Sequence, residues 1–164
     1  MRRIMFVLIS AVFGVVLTAT SALADSPHFL FADNSVSSSG ALTTSFKDAG
    51  LGTGTTSIQI TLTVTNATAV YQCFNNGGNH PKAGNKETVS GPLSATGNFP
   101  VRHGQTTASL TVGPPGPGDF SCPSGQSLFL QEATYSGTSV SDATGNSLQA
   151  TPDPISTGPI HVKV

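Results

Sequence analysis

The chain has 164 residues, the length of one domain, and a formal net charge of −1. Only 9% of its residues are charged, whereas glycine numbers 18 and proline 11. Such a composition favours strands and turns over helices. It excludes an electrostatic interaction with nucleic acid, because that interaction requires a clustered basic face.

The first 24 residues are typical of a secretory signal peptide. Arg2 and Arg3 precede an apolar run over residues 4–17, and Ala22-Leu23-Ala24 supplies the small residues of a cleavage site. The apolar run is short for a bilayer, which requires about 20 residues. We therefore expect general secretion with cleavage before Asp25, in preference to a membrane anchor or twin-arginine export. The mature chain would be a released single domain over residues 25–164 with no membrane span.

Alternating apolar residues predict a series of short strands along the mature chain. The clearest is SIQITLTV at 57–64, where every second residue is Ile, Leu or Val. A turn or bulge is expected at Asn66-Ala67, because the alternation then loses its phase. The remaining predicted strands are 28–31 and 42–47, 88–99 as an edge or bulged strand, 106–112, 127–135, 138–143, 148–150 and 160–164.

Turn residues separate these strands. The segment GPPGPGD after residue 112 cannot be helical. Ser136-Gly137 is predicted to join strands 127–135 and 138–143 as a hairpin. In the last strand Ile160, Val162 and Val164 should face inward. Seven to nine short strands predict an all-β fold, an antiparallel β-sandwich.

Cys73 and Cys122 are the two cysteines, and in an oxidising compartment such a pair most often forms a disulfide. A reduced, metal-binding pair is the alternative. Their spacing, with Phe120 two residues before the second cysteine, resembles immunoglobulin-like domains. The chain has no tryptophan to pack on the bridge, and Pro123 places Cys122 in a loop. The resemblance therefore implies an immunoglobulin-like sandwich without implying the strict immunoglobulin strand order.

A second resemblance covers the middle and C-terminal two-thirds of the mature chain. The stretch YQCFNNGGNHPKAGNKETVSG and the later GDFSCPSGQSL resemble a group of small exported bacterial proteins of similar length. The resemblance implies a single exported, disulfide-linked domain. It implies no activity.

The segment between the first cysteine and the next predicted strand, residues 75–86, is unusually rich in asparagine, and we call it the Asn-rich loop. A long turn alone would explain these residues, because Asn and Gly tolerate left-handed backbone. Binding residues also lie often on loops held by a rigid scaffold. The predicted ligand-binding residues are Asn75, Asn76, Asn79, His80, Lys82 and Asn85. Phe74 is the one aromatic residue beside them.

No spacing in the chain matches a metal or catalytic motif. The four histidines show no zinc-like pairing, and the carboxylates are scattered without a calcium-loop pattern. There is no G-x-S-x-G, and nothing brings Glu87 and Glu132 together. We expect no metal, no cofactor and no catalytic residues.

These observations predict a secreted, non-enzymatic β-sandwich with a structural or interaction role. The alternative is a carbohydrate- or cell-envelope-binding module that uses the Asn-rich loop, with an envelope glycan or protein as partner. A hydrolase with a spatial His/Ser/Asp arrangement is a third hypothesis.

Overall fold

The computed structural model describes residues 26–75 and 85–164, so the predicted signal peptide lies outside the described residues. Within these ranges the chain forms antiparallel β-sheets, as expected, and no helix is long and apolar enough to cross a membrane. The strands are β1 His28–Val36, β2 Leu42–Ala49, β3 Ser57–Asn75, β4 Lys86–Pro100, β5 Gln105–Val112, β6 Gln126–Asp142, β7 Ser147–Gln149, β8 Ile155–Ser156 and β9 Val162–Lys163.

The strands form two sheets. The smaller sheet has the order β1-β2-β5, and the larger has the order β4-β3-β6-β7, with β8 and β9 also paired to β6. As predicted, β4 lies at an edge, where its Pro92 does not interrupt a central ladder. The C-terminal segment runs along the other side of β6 in three short pieces. Prolines 152, 154 and 159 stand between those pieces.

The two sheets share one apolar core. Phe46 of β2 is fully buried and meets Phe99 of β4 edge-to-face, with ring centroids 5.4 Å apart. Ile60, Leu62 and Val64, the inward residues of the predicted strand 57–64, belong to the same core. The period-2 pattern therefore identified the buried face of β3 correctly.

The smaller sheet is too short to cover the larger one. β3 has 19 residues and β6 has 17, whereas the three strands of the smaller sheet have eight or nine. The remaining part of the larger sheet's inner face carries a second apolar cluster around Tyr71 and Leu130. Phe120 packs on this cluster, and Tyr71 Oη donates a hydrogen bond of 2.6 Å to the Pro115 carbonyl. Residues 113–125, which we call the covering loop, therefore bury the part that the smaller sheet does not reach.

A disulfide fixes the covering loop to β3. Cys73 is buried on the inner face, and its sulfur is bonded to that of Cys122 in the loop. The predicted pairing is confirmed, and the described residues contain no free cysteine. The reduced metal-binding alternative is therefore wrong for this pair, because no thiolate is left to bind a metal.

The predicted hairpin at Ser136-Gly137 is wrong, because β6 continues through both residues. Ser136 pairs with Asn66 and Thr138 pairs with Val64, so β3 pairs with β6 on both sides of the glycine. Gly137 has a φ of 65°, and a Cβ there would lie 2.6 Å from Thr65 Cβ. In both β3 and β6 the buried residues change from one alternate set to the other at this point. The predicted irregularity at Asn66-Ala67 is confirmed as a register shift between β3 and β4.

At the C-terminus the structure differs from the prediction for one residue. Ile160 and Val162 pack on the second apolar cluster as expected. Val164, predicted to face inward, is 62% exposed. Its backbone N–H donates to the Leu128 carbonyl at 3.0 Å, so the chain is still bonded to β6 here, but the side chain stays exposed at the end of the strand.

Replacing both cysteines by alanine should destabilise the covering loop more than the smaller sheet. The disulfide closes a loop of 49 residues, for which chain entropy predicts a loss of roughly 4 kcal/mol in the free energy of unfolding. Urea unfolding measures the total loss. Hydrogen exchange should show faster amide exchange in residues 113–125 and at Leu128 and Leu130, whereas amides of β2 and β5 keep their relative protection. Equal loss of protection in both regions would contradict the assigned role of the loop.

Candidate functional site

The Asn-rich loop joins β3 to β4 at the disulfide end of the larger sheet. Asn76, Asn79, His80 and Lys82 lie outside the described residues. Asn75 is the last residue of β3, and Asn85 immediately precedes β4. The two described members of the predicted site are therefore held by the ends of adjacent strands.

A chain of side-chain amides connects these two asparagines. Asn85 Nδ2 donates to Gln126 Oε1 at 3.0 Å, and Gln126 Nε2 donates to Asn75 Oδ1 at 2.9 Å. Gln126 is the first residue of β6 and pairs directly with Asn75. Each carboxamide can donate and accept, so the chain keeps an amide donor at Asn75 and a carbonyl acceptor at Asn85 for a further partner.

Three rings lie on the outer face of the sheet at the same end of β3 and β6. Asn75 has the phase of Tyr71 and Cys73, so the amide chain lies towards the inner side of this end. Phe129 and His161 are stacked, with centroids 4.0 Å apart and planes at 16°. Phe74 meets both rings edge-on, at 4.6 Å from His161 and 5.5 Å from Phe129. Gln131 Nε2 lies 3.1 Å from His161 Nδ1 and orients that ring. His161 is exposed and Phe129 is half-buried.

The alternation of the strands explains how this cluster forms. In β3, Tyr71 and Cys73 face the covering loop, so Phe74 is directed to the opposite face. Phe129 lies opposite Gln72 in the register, and Lys163 of β9 pairs with Phe129 from the other side. The sequence prediction included Asn75 and Asn85, with Phe74 noted beside them, but missed Gln126, Phe129 and His161. The apolar alternation of residues 128–130 would have placed Phe129 on the outer face of the sheet. Only the pairing register of β3 with β6 shows that it lies beside Phe74.

We call these six residues the amide–ring cluster: Asn75, Asn85, Gln126, Phe74, Phe129 and His161. Its chemistry combines neutral donors and acceptors with flat apolar surface. A neutral ligand with hydroxyl groups and C–H faces that reaches around the end of the sheet would suit both parts. It contains no carboxylate that could serve as an acid or base.

Other polar residues weighed in the sequence do not come together in the described part of the chain. Within residues 26–75 and 85–164 no three His, Cys, Asp or Glu side chains are grouped closely enough to hold a metal ion. Glu87 pairs with Tyr71, an inward residue, whereas Glu132 pairs with Val70, an outward one. The two glutamates therefore project to opposite faces of the sheet. His103 lies at the tip of the β4–β5 hairpin, with a φ of 52°.

The sequence also gave no sign of a buried carboxyl pair between the two sheets. Asp48, at an inward position of β2, is fully buried, and neither of its carboxyl oxygens has a hydrogen-bond partner. Its neighbour across the core is Asp142, at the end of β6. Asp142 Oδ1 accepts hydrogen bonds from the Thr144 and Asn146 backbone N–H groups, at 2.8 and 3.1 Å. Asp48 is fully buried and Asp142 is 7% exposed, so we assign the pair to the core and not to a ligand site.

The two carboxyls have opposite pKa shifts. Burial, followed by the negative charge of Asp142, raises the pKa of Asp48 to about 6. Burial also acts to raise the pKa of Asp142, but hydrogen bonds from Thr144 and Asn146 outweigh it and lower that pKa. Asp48 therefore retains its proton in the folded protein at a pH where it would lose it in the unfolded chain.

Replacing Asp48 by asparagine should stabilise the protein in a pH-dependent way. Between pH 3.8 and about 6 the folded state binds more protons at Asp48 than the unfolded state, so the stabilising contribution of this group is lost as the pH rises. For Asp142, whose pKa is lowered in the folded protein, the pH dependence of stability is opposite: its stabilising contribution is present above its unfolded pKa and is lost as the pH falls. At pH 7.5 the Asp48→Asn variant should exceed the wild type by about 1–3 kcal/mol, and at pH 4 the difference should shrink towards zero.

Urea unfolding at pH 4, 6 and 7.5 measures this difference. Asp33→Asn is the matched control, because it removes an exposed carboxyl from the outer face of β1. A gain for Asp48→Asn that is the same at every pH would contradict the buried-carboxyl explanation.

The chain was compared with known proteins at three levels. No protein-family model matches it, no curated protein matches it, and no solved structure matches it.

Proposed function

We propose that this protein is an exported, non-enzymatic binding protein with an immunoglobulin-like β-sandwich. Two features support it: the leader-like sequence of residues 1–24, and a buried disulfide of the kind that persists in oxidising compartments. The role outside the cytoplasm is structural or interactive, carried out by a scaffold whose loops are held at the ends of long strands.

We further propose that its ligand is a neutral carbohydrate, such as an envelope glycan, bound at the amide–ring cluster. The observation that carries this proposal is the position of the exposed His161–Phe129 stack and the Asn85–Gln126–Asn75 amide chain at the same end of β3 and β6. Sugars present hydroxyl groups at their edges and C–H groups on their faces. Amide groups form hydrogen bonds with the hydroxyl groups, and aromatic rings pack against the C–H faces.

The outer face of the larger sheet extends this surface with hydroxyl groups. The hydroxyls of Thr61 and Thr96 are hydrogen-bonded at 2.9 Å, and those of Thr68 and Ser90 at 3.1 Å. Ser139 and Ser141 of β6 continue the same outward rows. A long polysaccharide could lie along these rows beyond the cluster, since the hydroxyls are uncharged and both donate and accept.

Export can be tested by expressing the full chain in a bacterial host and recovering the product from the medium. We expect a chain that begins at Asp25 and has a mass two hydrogens below that of the reduced form, because of the disulfide. Intact-mass spectrometry with and without reductant measures both quantities. A product retained in the cytoplasm with its leader intact would contradict the export proposal.

Glycan binding can be tested by retention of the purified mature protein on a glycan array and on insoluble cell-wall polysaccharide. We expect Gln126→Ala and His161→Ala each to reduce affinity about five- to tenfold, because each removes one hydrogen-bonding or packing group. Asn76→Ala and Asn79→Ala test whether the loop participates. Gln59→Ala is the matched control, since Gln59 is an exposed glutamine of β3 far from the cluster.

The outcomes separate the two parts of the proposal. Retention that falls with Gln126→Ala and not with Gln59→Ala supports the cluster as the site. No retention on any glycan, or equal retention of all variants, contradicts carbohydrate binding. Hydrolysis of a retained glycan would contradict the non-enzymatic role.

A further inference from the structure

A second surface feature lies where the two sheets are joined by the β4–β5 hairpin. A shallow depression of about 330 Å³ is lined by Lys47, Pro100, Arg102, Gln105, Thr106 and Thr107. Pro100 ends β4 in the larger sheet, whereas Lys47 and the two threonines belong to the smaller sheet. The depression is thus formed by both sheets at one corner of the molecule.

The hairpin fixes the position of Arg102 at this corner. Arg102 and Gln105 exchange backbone hydrogen bonds of 2.8 and 3.1 Å. The two residues between them, His103 and Gly104, have φ values of 52° and 71°. Two successive left-handed residues are typical of a tight two-residue turn whose twist matches that of the paired strands. The arginine is therefore carried by a defined turn and not by a long loop.

Two cations and no acidic residue line this depression. Only five Lys and Arg residues follow residue 24, and two of them, Lys47 and Arg102, meet here. Neither forms an ion pair within the described ranges 26–75 and 85–164. Asp48 is adjacent to Lys47 in sequence, but its carboxyl is buried on the other face of β2. Asp33 pairs with Ser45, two residues along β2 from Lys47, and it does not line the depression.

We propose that this depression binds an oxyanion carried by a hydroxylated ligand, a sugar that bears a phosphate or carboxylate group. Lys47 and Arg102 would contact the oxyanion, since a guanidinium and an ammonium both form charge-assisted hydrogen bonds with phosphate and carboxylate. The Gln105 amide and the exposed Thr107 hydroxyl would bind the sugar hydroxyls.

The dimensions favour a ligand larger than a free ion. The volume is at the lower end of the range of about 300–1,000 Å³ that is usual for small-molecule sites. Pro100 supplies an apolar wall beside the polar groups. A sugar ring would use that wall and the hydroxyl contacts, whereas inorganic phosphate would use the two cations alone.

This site is separate from the amide–ring cluster. The two lie near opposite ends of β4, a strand of 15 residues, which spans about 45 Å at the usual rise per residue. The inference therefore does not rest on the proposed glycan site. Loss of binding at one site should leave the other unchanged.

The test is a titration of the disulfide-intact mature protein, followed by NMR chemical shifts, with glucose 6-phosphate, glucuronate, inorganic phosphate and glucose. We expect saturable shifts at residues 47, 102 and 105–107 with both sugar anions. Inorganic phosphate should bind more weakly, and glucose should cause no saturable shift there. Affinity for the sugar anions should fall as salt increases.

Lys47→Gln and Arg102→Gln should each weaken the binding of glucose 6-phosphate about tenfold. Lys163→Gln is the control, because it removes a cation from β9 at the other end of the larger sheet. Circular dichroism and urea unfolding confirm that each variant is folded. The proposal is overturned if no sugar anion saturates the site at millimolar concentration, or if Lys163→Gln weakens binding as much as the other two.

Discussion

The difference in length between the two sheets determines how the rest of the molecule is built. At about 3.3 Å per residue, β3, with 19 residues, is more than twice as long as β2, with eight. Apolar residues face inward along almost all of β3, and they cannot be left in water without loss of hydrophobic free energy. The inner face must therefore be buried by two different coverings, the smaller sheet over one part and residues 113–125 over the other.

The two tyrosines of the chain each hold one segment on this inner face. Tyr135 donates to the Gly40 carbonyl in the turn between β1 and β2, and Tyr71 donates to Pro115 in the covering loop. Burial raises the pKa of Tyr135 to about 12, so its hydroxyl remains a donor at neutral pH. A proline- and glycine-rich loop has little intrinsic order, and here a buried hydrogen bond and a disulfide hold it in place.

The same arrangement makes the disulfide end of the larger sheet a defined platform. The inner side is fixed by Cys73 and Tyr71, the outer side carries the three rings, and the amide chain connects the ends of β3, β4 and β6. Side chains on paired strands are positioned more precisely than side chains on loops. Gln126 and Phe129 are held in this way by their register with Asn75 and Gln72.

Local patterns predicted most of the fold, and long-range pairing accounts for what they missed. The alternation in 57–64 and 106–112 was sufficient to place β3 and β5 with their buried faces. Ser136-Gly137 has the composition of a turn, and only pairing with residues about 70 positions earlier shows that the strand continues. Asp48 and Asp142 meet for the same reason: they lie on different sheets, and no local spacing relates them. Of the predicted ligand residues, Asn75 and Asn85 meet through Gln126, whose partners depend on register.

The central place of β6 in the larger sheet has a consequence for the order of events during biosynthesis. β3 is complete by residue 75, yet one of its two partners comes only at residues 126–142. Partners so far apart in sequence pair slowly, because a long stretch of chain must first be closed into a loop. In the nascent chain the larger sheet therefore stays incomplete until residues 126–142 have been synthesised. That delay would suit translocation machinery that threads polypeptides in an extended state, if the protein is exported as we propose.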